Sequence, residues 1–147
     1  MRRPVVLLVE DNPDDLDLWH LALGKAGKPF EMATVADGQQ ALDWVFRQGS
    51  YLGRDPWVFP ALILLDLKLP VLGGLEVLRG LRERPEGRFI PVMVLTTSEM
   101  PSDIAQAYSL GASAYVQKPI GFGNLVDLVR AVNGFWLSYN VLHPTLR

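Results

Sequence analysis

The chain has 147 residues, 49% of them hydrophobic, which is enough to bury one sizeable core and predicts a single domain over residues 1–147. Its 14 basic residues against 16 acidic ones leave a net charge of -2, so binding to nucleic acid or to an anionic membrane surface is disfavoured. The absence of cysteine excludes disulfides and thiolate zinc sites, and the first apolar run is too short for a signal peptide or membrane span, so a cytoplasmic location is expected.

The first apolar run, residues 5–9, is typical of a central parallel strand, and it ends at Glu10 and Asp11. Asn12 then has the side chain to cap a first helix, which the pattern ends at Gly27. Both acids therefore lie where a predicted strand gives way to a predicted helix.

A second strand is predicted over residues 30–35, and Asp37 with Gln40 resembles the capping box that begins a second helix. The connection over residues 47–60 is longer than the ~2 to 6 residues usual for an αβ loop. It also carries aromatic residues, which we expect to fold back onto the domain rather than to anchor a partner.

The third apolar run, residues 61–65, predicts a strand buried on both faces that ends in Asp66. In open α/β sheets ligands bind beyond the carboxyl ends of the strands, which makes Asp66 a site candidate. An aspartate at the end of a strand can equally cap a loop, and this residue alone does not decide between the two. A third helix around residues 75–81 is predicted to end near Pro85.

The remaining chain repeats the alternation of apolar runs and turns. The predicted elements are a strand at 90–95 before Thr96, a helix at 104–108, a strand at 114–116 before Lys118, and a helix at 125–136. Five strands alternating with five helices predict an α/β fold, a doubly wound parallel sheet with helices on both faces.

The ends of such strands meet at one edge of the sheet, so residues far apart in sequence converge there. They are Glu10, Asp11, Asp66, Thr96 and Lys118. Three carboxylates suit the oxygen coordination of Mg²⁺, while an ammonium and a hydroxyl can bind phosphoryl oxygens. Each signal alone is structural more often than functional, but together they indicate a phosphoryl-transfer site with a carboxylate nucleophile.

These motifs resemble the receiver domain of bacterial two-component response regulators, over residues 4–134. The matching stretches are Val-Glu10-Asp11-Asn, Leu-Leu-Asp66-Leu-Lys-Leu-Pro70 with Gly73-Gly74, Val-Leu-Thr96-Thr-Ser, and Gly111-Ala112-Ser-Ala-Tyr115-Val-Gln-Lys118-Pro119. The resemblance implies a flavodoxin-like sheet of order 2-1-3-4-5. It also implies a signalling phosphoacceptor rather than an enzyme acting on other molecules.

The same resemblance assigns a role to each site residue. It implies that Asp66 is the phosphoacceptor and that Lys118 and Thr96 contact the phosphoryl group. The implied ligands of Mg²⁺, or alternatively Mn²⁺, are Glu10, Asp11, Asp66 and the Lys68 backbone carbonyl. Thr96 and Tyr115 are the implied switch pair. It further implies a cis peptide bond between Lys118 and Pro119.

The chain departs from a minimal receiver in its long 47–60 connection and in an extension over residues 135–147. Both features resemble stand-alone receivers paired with phytochrome-type histidine kinases, so a histidine kinase, expected to be of that type, is the implied partner. The extension is too apolar for a solvated terminus, and we favour a homodimer over packing back on the domain.

Three alternatives remain from other functional classes. An interaction module could keep the receiver shape and signal without phosphorylation. A haloacid-dehalogenase-type phosphatase is expected to carry a second aspartate where this chain has Lys68. A flavodoxin-like flavin binder needs a phosphate-binding loop where this chain has Glu10 and Asp11.

Overall fold

The apolar runs form five parallel strands of one sheet in a computed structural model that describes residues 2–146. The order β2-β1-β3-β4-β5 confirms the predicted 2-1-3-4-5 arrangement and the flavodoxin-like fold class. The strands are β1 (Arg3–Val9), β2 (Met32–Val35), β3 (Val58–Leu65), β4 (Val92–Thr96) and β5 (Ala114–Gln117).

Helices cover both faces of the sheet, and the described residues form six α-helices instead of the five predicted. They are α1 (Pro13–Lys25), α2 (Gly38–Phe46), α3 (Gly74–Glu83), α4 (Pro85–Arg88), α5 (Pro101–Ser109) and α6 (Phe122–Phe135). Short 3-10 turns occur at Gly49–Tyr51 and Pro144–Leu146. The additional helix arises because Pro85 holds Arg84 in an extended conformation and itself fits the first position of a new helix.

Alternate residues of the central strands face opposite cores, as the pleat of a strand requires. Leu7 and Ile63 point to the core under α2 and α3, whereas Leu8 and Leu64 point to the core under α1 and α6. All four side chains are almost completely buried. Because both faces are covered, the sheet exposes its site-bearing edge rather than a face.

The long connection is shorter than predicted because β3 begins at Val58. Pro60, expected to lie in the connection, pairs with Val5 inside the sheet, next to a register shift between Val5 and Val6. A proline is tolerated there because irregular pairing does not need its missing N–H. The remaining connection is held by Arg54, whose guanidinium donates to the carbonyls of Trp44 and Val58.

Some residues of the extension beyond α6 pack against the domain, and others are exposed to solvent. Leu137 and Leu142 pack against the core, and Leu146 is buried. Tyr139 and Val141, in contrast, are 82% and 75% exposed. Among residues 2–146, no helix is long and apolar enough to cross a membrane.

Candidate functional site

Neighbouring strands bring the predicted site residues to one edge of the sheet. The pairing of Val9 with Leu65 places Glu10 beside Asp66, because each residue directly follows its strand. Lys118 reaches both from β5: its Nζ lies 2.8 Å from Asp66 Oδ2 and 3.1 Å from Glu10 Oε1. The site is therefore centred on an ammonium between two carboxylates.

Burial makes these charges interact strongly. The side chains of Glu10, Asp66 and Lys118 are 4%, 11% and 25% exposed. Burial raises the pKa of Glu10 above 4.5, by more than the Lys118 ammonium lowers it. Burial alone lowers the pKa of Lys118, but the hydrogen bond and charge of Asp66, followed by those of Glu10, bring it above 10.5. Lys118 consequently stays protonated at neutral pH.

Asp15 is a site residue that the sequence reasoning missed. Its Oδ2 lies 3.7 Å from Lys118 Nζ, and its side chain is 41% exposed. The Asp15 carboxylate can also accept a hydrogen bond from protonated Glu10, which contributes to raising the pKa of Glu10. Its position was available from the sequence, because α1 begins four residues after β1 ends and its first turn must lie at the same sheet edge.

The loop after β3 fixes the backbone around Asp66. The Lys68 amide donates to Asp66 Oδ1 at 3.2 Å, so the carboxylate is held on the side opposite Lys118. Gly74 packs directly beneath this loop, where an added Cβ would lie 2.3 Å from the Asp66 carbonyl oxygen. Glycine is needed at this position because two backbone segments meet there.

Thr96 and Tyr115 lie on the α5 side of the site, and both contact Ser98. Thr96 is fully buried at the end of β4, and its Oγ1 accepts a hydrogen bond from the Ser98 amide at 3.4 Å. The Tyr115 hydroxyl donates to the Ser98 carbonyl at 3.0 Å. The two predicted switch residues are thus linked through Ser98.

Asp11 is placed less centrally than predicted. Its side chain is exposed, while its amide donates to Glu10 Oε2 at 3.1 Å. No three acidic or histidine side chains within residues 2–146 are grouped closely enough to hold a metal ion. The donor types nevertheless fit a hard divalent cation, since carboxylate and carbonyl oxygens are the ligands that Mg²⁺ takes.

The expectation of a cis peptide bond before Pro119 was wrong. The Lys118–Pro119 peptide is trans, as is every peptide bond in the described part of the chain. The trans form of such a bond is intrinsically favoured by about 0.5–1 kcal/mol. In this geometry the Lys118 amide donates to the Thr96 carbonyl and its ammonium reaches Asp66.

This arrangement can carry out phosphoryl chemistry at Asp66. The carboxylate offers a nucleophilic oxygen at an open edge, and the adjacent ammonium can neutralise charge that develops on a transferring phosphoryl group.

Comparisons with known proteins agree with this geometry. A family profile described as the response regulator receiver domain matches residues 6–130. The chain is 36% identical to response regulator Rcp1 of Synechocystis over 134 residues, covering 91% of this chain and 89% of that protein.

Two solved structures are also similar. The phosphorylated cyanobacterial phytochrome response regulator RcpA superposes with a TM-score of 0.84 and 37% identity, covering 97% of this chain and 99% of that one. The Mn²⁺-bound form of Rcp1 gives a TM-score of 0.82 and 34% identity, covering 96% of this chain and 99% of that one.

Proposed function

The chain belongs to the response regulator receiver family, and we propose that it is a stand-alone receiver that accepts a phosphoryl group from a sensor histidine kinase on Asp66. The observation that carries the proposal is the contact of Lys118 Nζ with Asp66 Oδ2 at 2.8 Å, at the open edge of the sheet. The protein is then a signalling phosphoacceptor and not a classical enzyme.

The transfer step requires one bond to form and one to break. A carboxylate oxygen of Asp66 attacks the phosphorus of a phosphohistidine, the bond from phosphorus to the imidazole nitrogen breaks, and that nitrogen retains the electron pair and takes up a proton. Lys118 then binds a phosphoryl oxygen while remaining close to Glu10. Hydrolysis returns Asp66 to the carboxylate when water attacks phosphorus and inorganic phosphate leaves.

A divalent cation belongs to this proposal. Glu10, Asp11, Asp66 and the Lys68 carbonyl would hold Mg²⁺, or Mn²⁺ as in the related Rcp1 structure. The bound cation supplies charge neutralisation for the transferring phosphoryl group. Asp11 has the freedom to turn inward because its side chain is exposed.

Thr96 and Tyr115 form the proposed switch. The Thr96 hydroxyl accepts from the Ser98 amide, which leaves its proton free to be donated to a phosphoryl oxygen. Its movement toward Asp66 would change the space available to Tyr115 and hence the surface formed by α5 and β5.

The partner and the assembly follow from similarity and from exposed surface. Similar structures described as phytochrome or bacteriophytochrome response regulators support a phytochrome-type histidine kinase as the donor. We interpret residues 4–134 as the receiver core and 135–147 as its extension within one domain. The exposed apolar residues of that extension support a homodimer. A cytoplasmic location remains a prediction from the sequence.

Labelling with radioactive acetyl phosphate and Mg²⁺ tests the proposal. We expect the wild type to form an alkali-labile acyl phosphate and Asp66→Asn to form none, because the amide is not a nucleophile. Removal of Mg²⁺ with EDTA should abolish labelling. Asp17→Asn, which changes an exposed aspartate on α1, is the matched control and should label like the wild type. Equal labelling of wild type and a folded Asp66→Asn variant would overturn the assignment and favour a phosphorylation-independent module.

A further inference from the structure

Four hydrogen bonds meet at Ser98, in the connection between β4 and α5. Its amide donates to Thr96 Oγ1 at 3.4 Å, and its carbonyl accepts from the Tyr115 hydroxyl at 3.0 Å. Its own hydroxyl donates to Asp103 Oδ2 at 2.6 Å and accepts from the Met100 amide at 3.2 Å. One residue thus contacts β4, β5 and the first turn of α5.

From this convergence we propose that Ser98, clamped by Asp103, is the positioning residue that couples Thr96 to Tyr115 and to the start of α5. This role of Ser98 rests on the proposed switch, in which Thr96 moves on phosphorylation. Ser98 would transmit that movement to Tyr115 and to α5. Ser98 touches no reacting atom in this role, since it acts through the two residues that its backbone contacts.

The hydrogen bond between Ser98 and Asp103 gives the clamp its strength. A hydroxyl that donates to a carboxylate at 2.6 Å makes a short charge-assisted bond, of the kind that is about twice as strong as a neutral one. Both residues are partly buried, so water competes less for this pair than at an exposed site. The hydrogen bond of the Ser98 side chain therefore also restricts the position of the Ser98 backbone.

The start of α5 depends on the same clamp. Met100, the residue before the helix, has no capping side chain, and its amide is bound by Ser98 Oγ instead. Asp103 lies in the first helical turn, where a carboxylate also interacts favourably with the helix dipole. A shift of Ser98 must consequently move the helix entry and the hydrogen-bond acceptor of Tyr115 together.

Substitution of a residue that only caps α5 would lower stability without changing how Tyr115 responds to phosphorylation of Asp66. If Ser98 transmits, breaking the clamp should separate phosphorylation of Asp66 from the response of Tyr115. If Ser98 only caps α5, the response of Tyr115 to phosphorylation should survive in any variant that still folds.

Fluorine NMR of the full chain labelled with meta-fluorotyrosine makes this separation visible. The chain has 4 tyrosines, and Tyr115→Phe identifies the Tyr115 resonance. Spectra are recorded before and after acetyl phosphate and Mg²⁺ are added, while intact-mass spectrometry measures phosphorylation in the same samples. Wild type should show a displaced Tyr115 resonance on phosphorylation.

Ser98→Ala and Asp103→Asn should be phosphorylated like wild type but lose most of this displacement, with the larger loss in Ser98→Ala. Ser98→Thr, which restores the hydroxyl, should recover it. Ser102→Ala removes an exposed hydroxyl from the same helical turn and should leave the displacement unchanged.

Full displacement of Tyr115 in every phosphorylated clamp variant that folds would overturn the inference and leave the proposed function intact. Absence of phosphorylation in the wild type would instead overturn the proposed function, and with it this inference. Asp103→Asn keeps the proposal falsifiable if Ser98→Ala fails to fold, because it preserves the shape of the side chain.

Discussion

At neutral pH the Lys118 ammonium lies within 3.1 Å of both Glu10 and Asp66, and it compensates two carboxylates at a mostly buried site. Burial raises the pKa of Glu10, and loss of the Lys118 ammonium, which lowers that pKa, would raise it further above its value in the unfolded chain. The stability that Glu10 contributes is then present below the unfolded pKa and is lost as the pH rises through the folded one. Lys118 is therefore expected to contribute more to the free energy of unfolding at pH 7.5 than at pH 4.5.

Lys118→Met tests this expectation in metal-free buffer. We expect the variant to lose about 1–3 kcal/mol of unfolding free energy near neutral pH, because two buried carboxylates lose their partner. The loss should shrink toward pH 4, as Glu10, whose pKa is raised by burial, becomes protonated. It should also shrink above the raised pKa of Lys118, where the wild-type lysine is itself neutral.

Urea unfolding at several pH values gives the measurement. Lys68→Met, an exposed lysine at the same sheet edge, is the control and should change little. A loss for Lys118→Met that is constant between pH 4 and 8 would contradict an electrostatic role.

Gly74 supports Asp66 through backbone contact alone. In Gly74→Ala the new Cβ would lie 2.3 Å from the Asp66 carbonyl oxygen, so the loop after β3 must move. We expect a loss of about 1–3 kcal/mol in unfolding free energy, as is typical of overpacking. Slower labelling of Asp66 by acetyl phosphate should accompany it.

Gly24→Ala provides the matched control for this substitution. Gly24 lies in α1, and apart from its chain neighbours and the backbone of its own helix no atom lies within 4 Å of an added Cβ, so alanine should stabilise the helix by up to about 1 kcal/mol. Chemical denaturation compares the two variants directly. If both behaved alike, the close approach beneath Asp66 would have no energetic consequence.

Arg54 orders the connection between α2 and β3. Its guanidinium lies 4.0 Å from the centroid of the Trp44 ring and donates to the Trp44 and Val58 carbonyls at 2.8 and 2.6 Å. Lysine offers neither the planar stacking surface nor the fork of donors. Arg54→Lys should therefore loosen residues 48–57 and cost about 1–2 kcal/mol.

Hydrogen exchange measured by mass spectrometry resolves this effect by segment. We expect faster exchange in residues 48–57 of Arg54→Lys and unchanged exchange in β1. Arg79→Lys, an exposed substitution on α3, should match wild type throughout. Wild-type protection of the connection in Arg54→Lys would show that other contacts order it.

For the whole molecule, the exposed part of the extension predicts self-association. Phe135, Tyr139 and Val141 are 52%, 82% and 75% exposed, and monomeric proteins rarely leave large contiguous apolar patches uncovered. Light scattering at tens of micromolar should give twice the monomer mass. The double substitution Tyr139→Ser with Val141→Ser should reduce it to the monomer mass.

Leu52→Ser is the control for that experiment, because Leu52 is 72% exposed but lies in the connection before β3. It should leave the dimer intact. A monomeric wild type, with or without phosphorylation, would contradict the homodimer.

The strands, the main helices and the sheet edge to which the site residues belong could all be predicted from the amino-acid sequence. Apolar runs such as residues 61–65 specify buried strands because burial depends on local composition, and residues that follow parallel strands must meet at one edge. The order of the strands came from resemblance to a known family, because a hydrophobic pattern does not say which strands are neighbours.

The pairing of charges at that edge could be seen only in the folded structure. It placed Asp15 near Lys118, left the Asp11 side chain exposed, and joined Thr96 to Tyr115 through Ser98. It also divided the extension into buried and exposed parts. These outcomes depend on distances of a few ångströms between side chains from different elements, and such distances are set by packing and not by local sequence pattern.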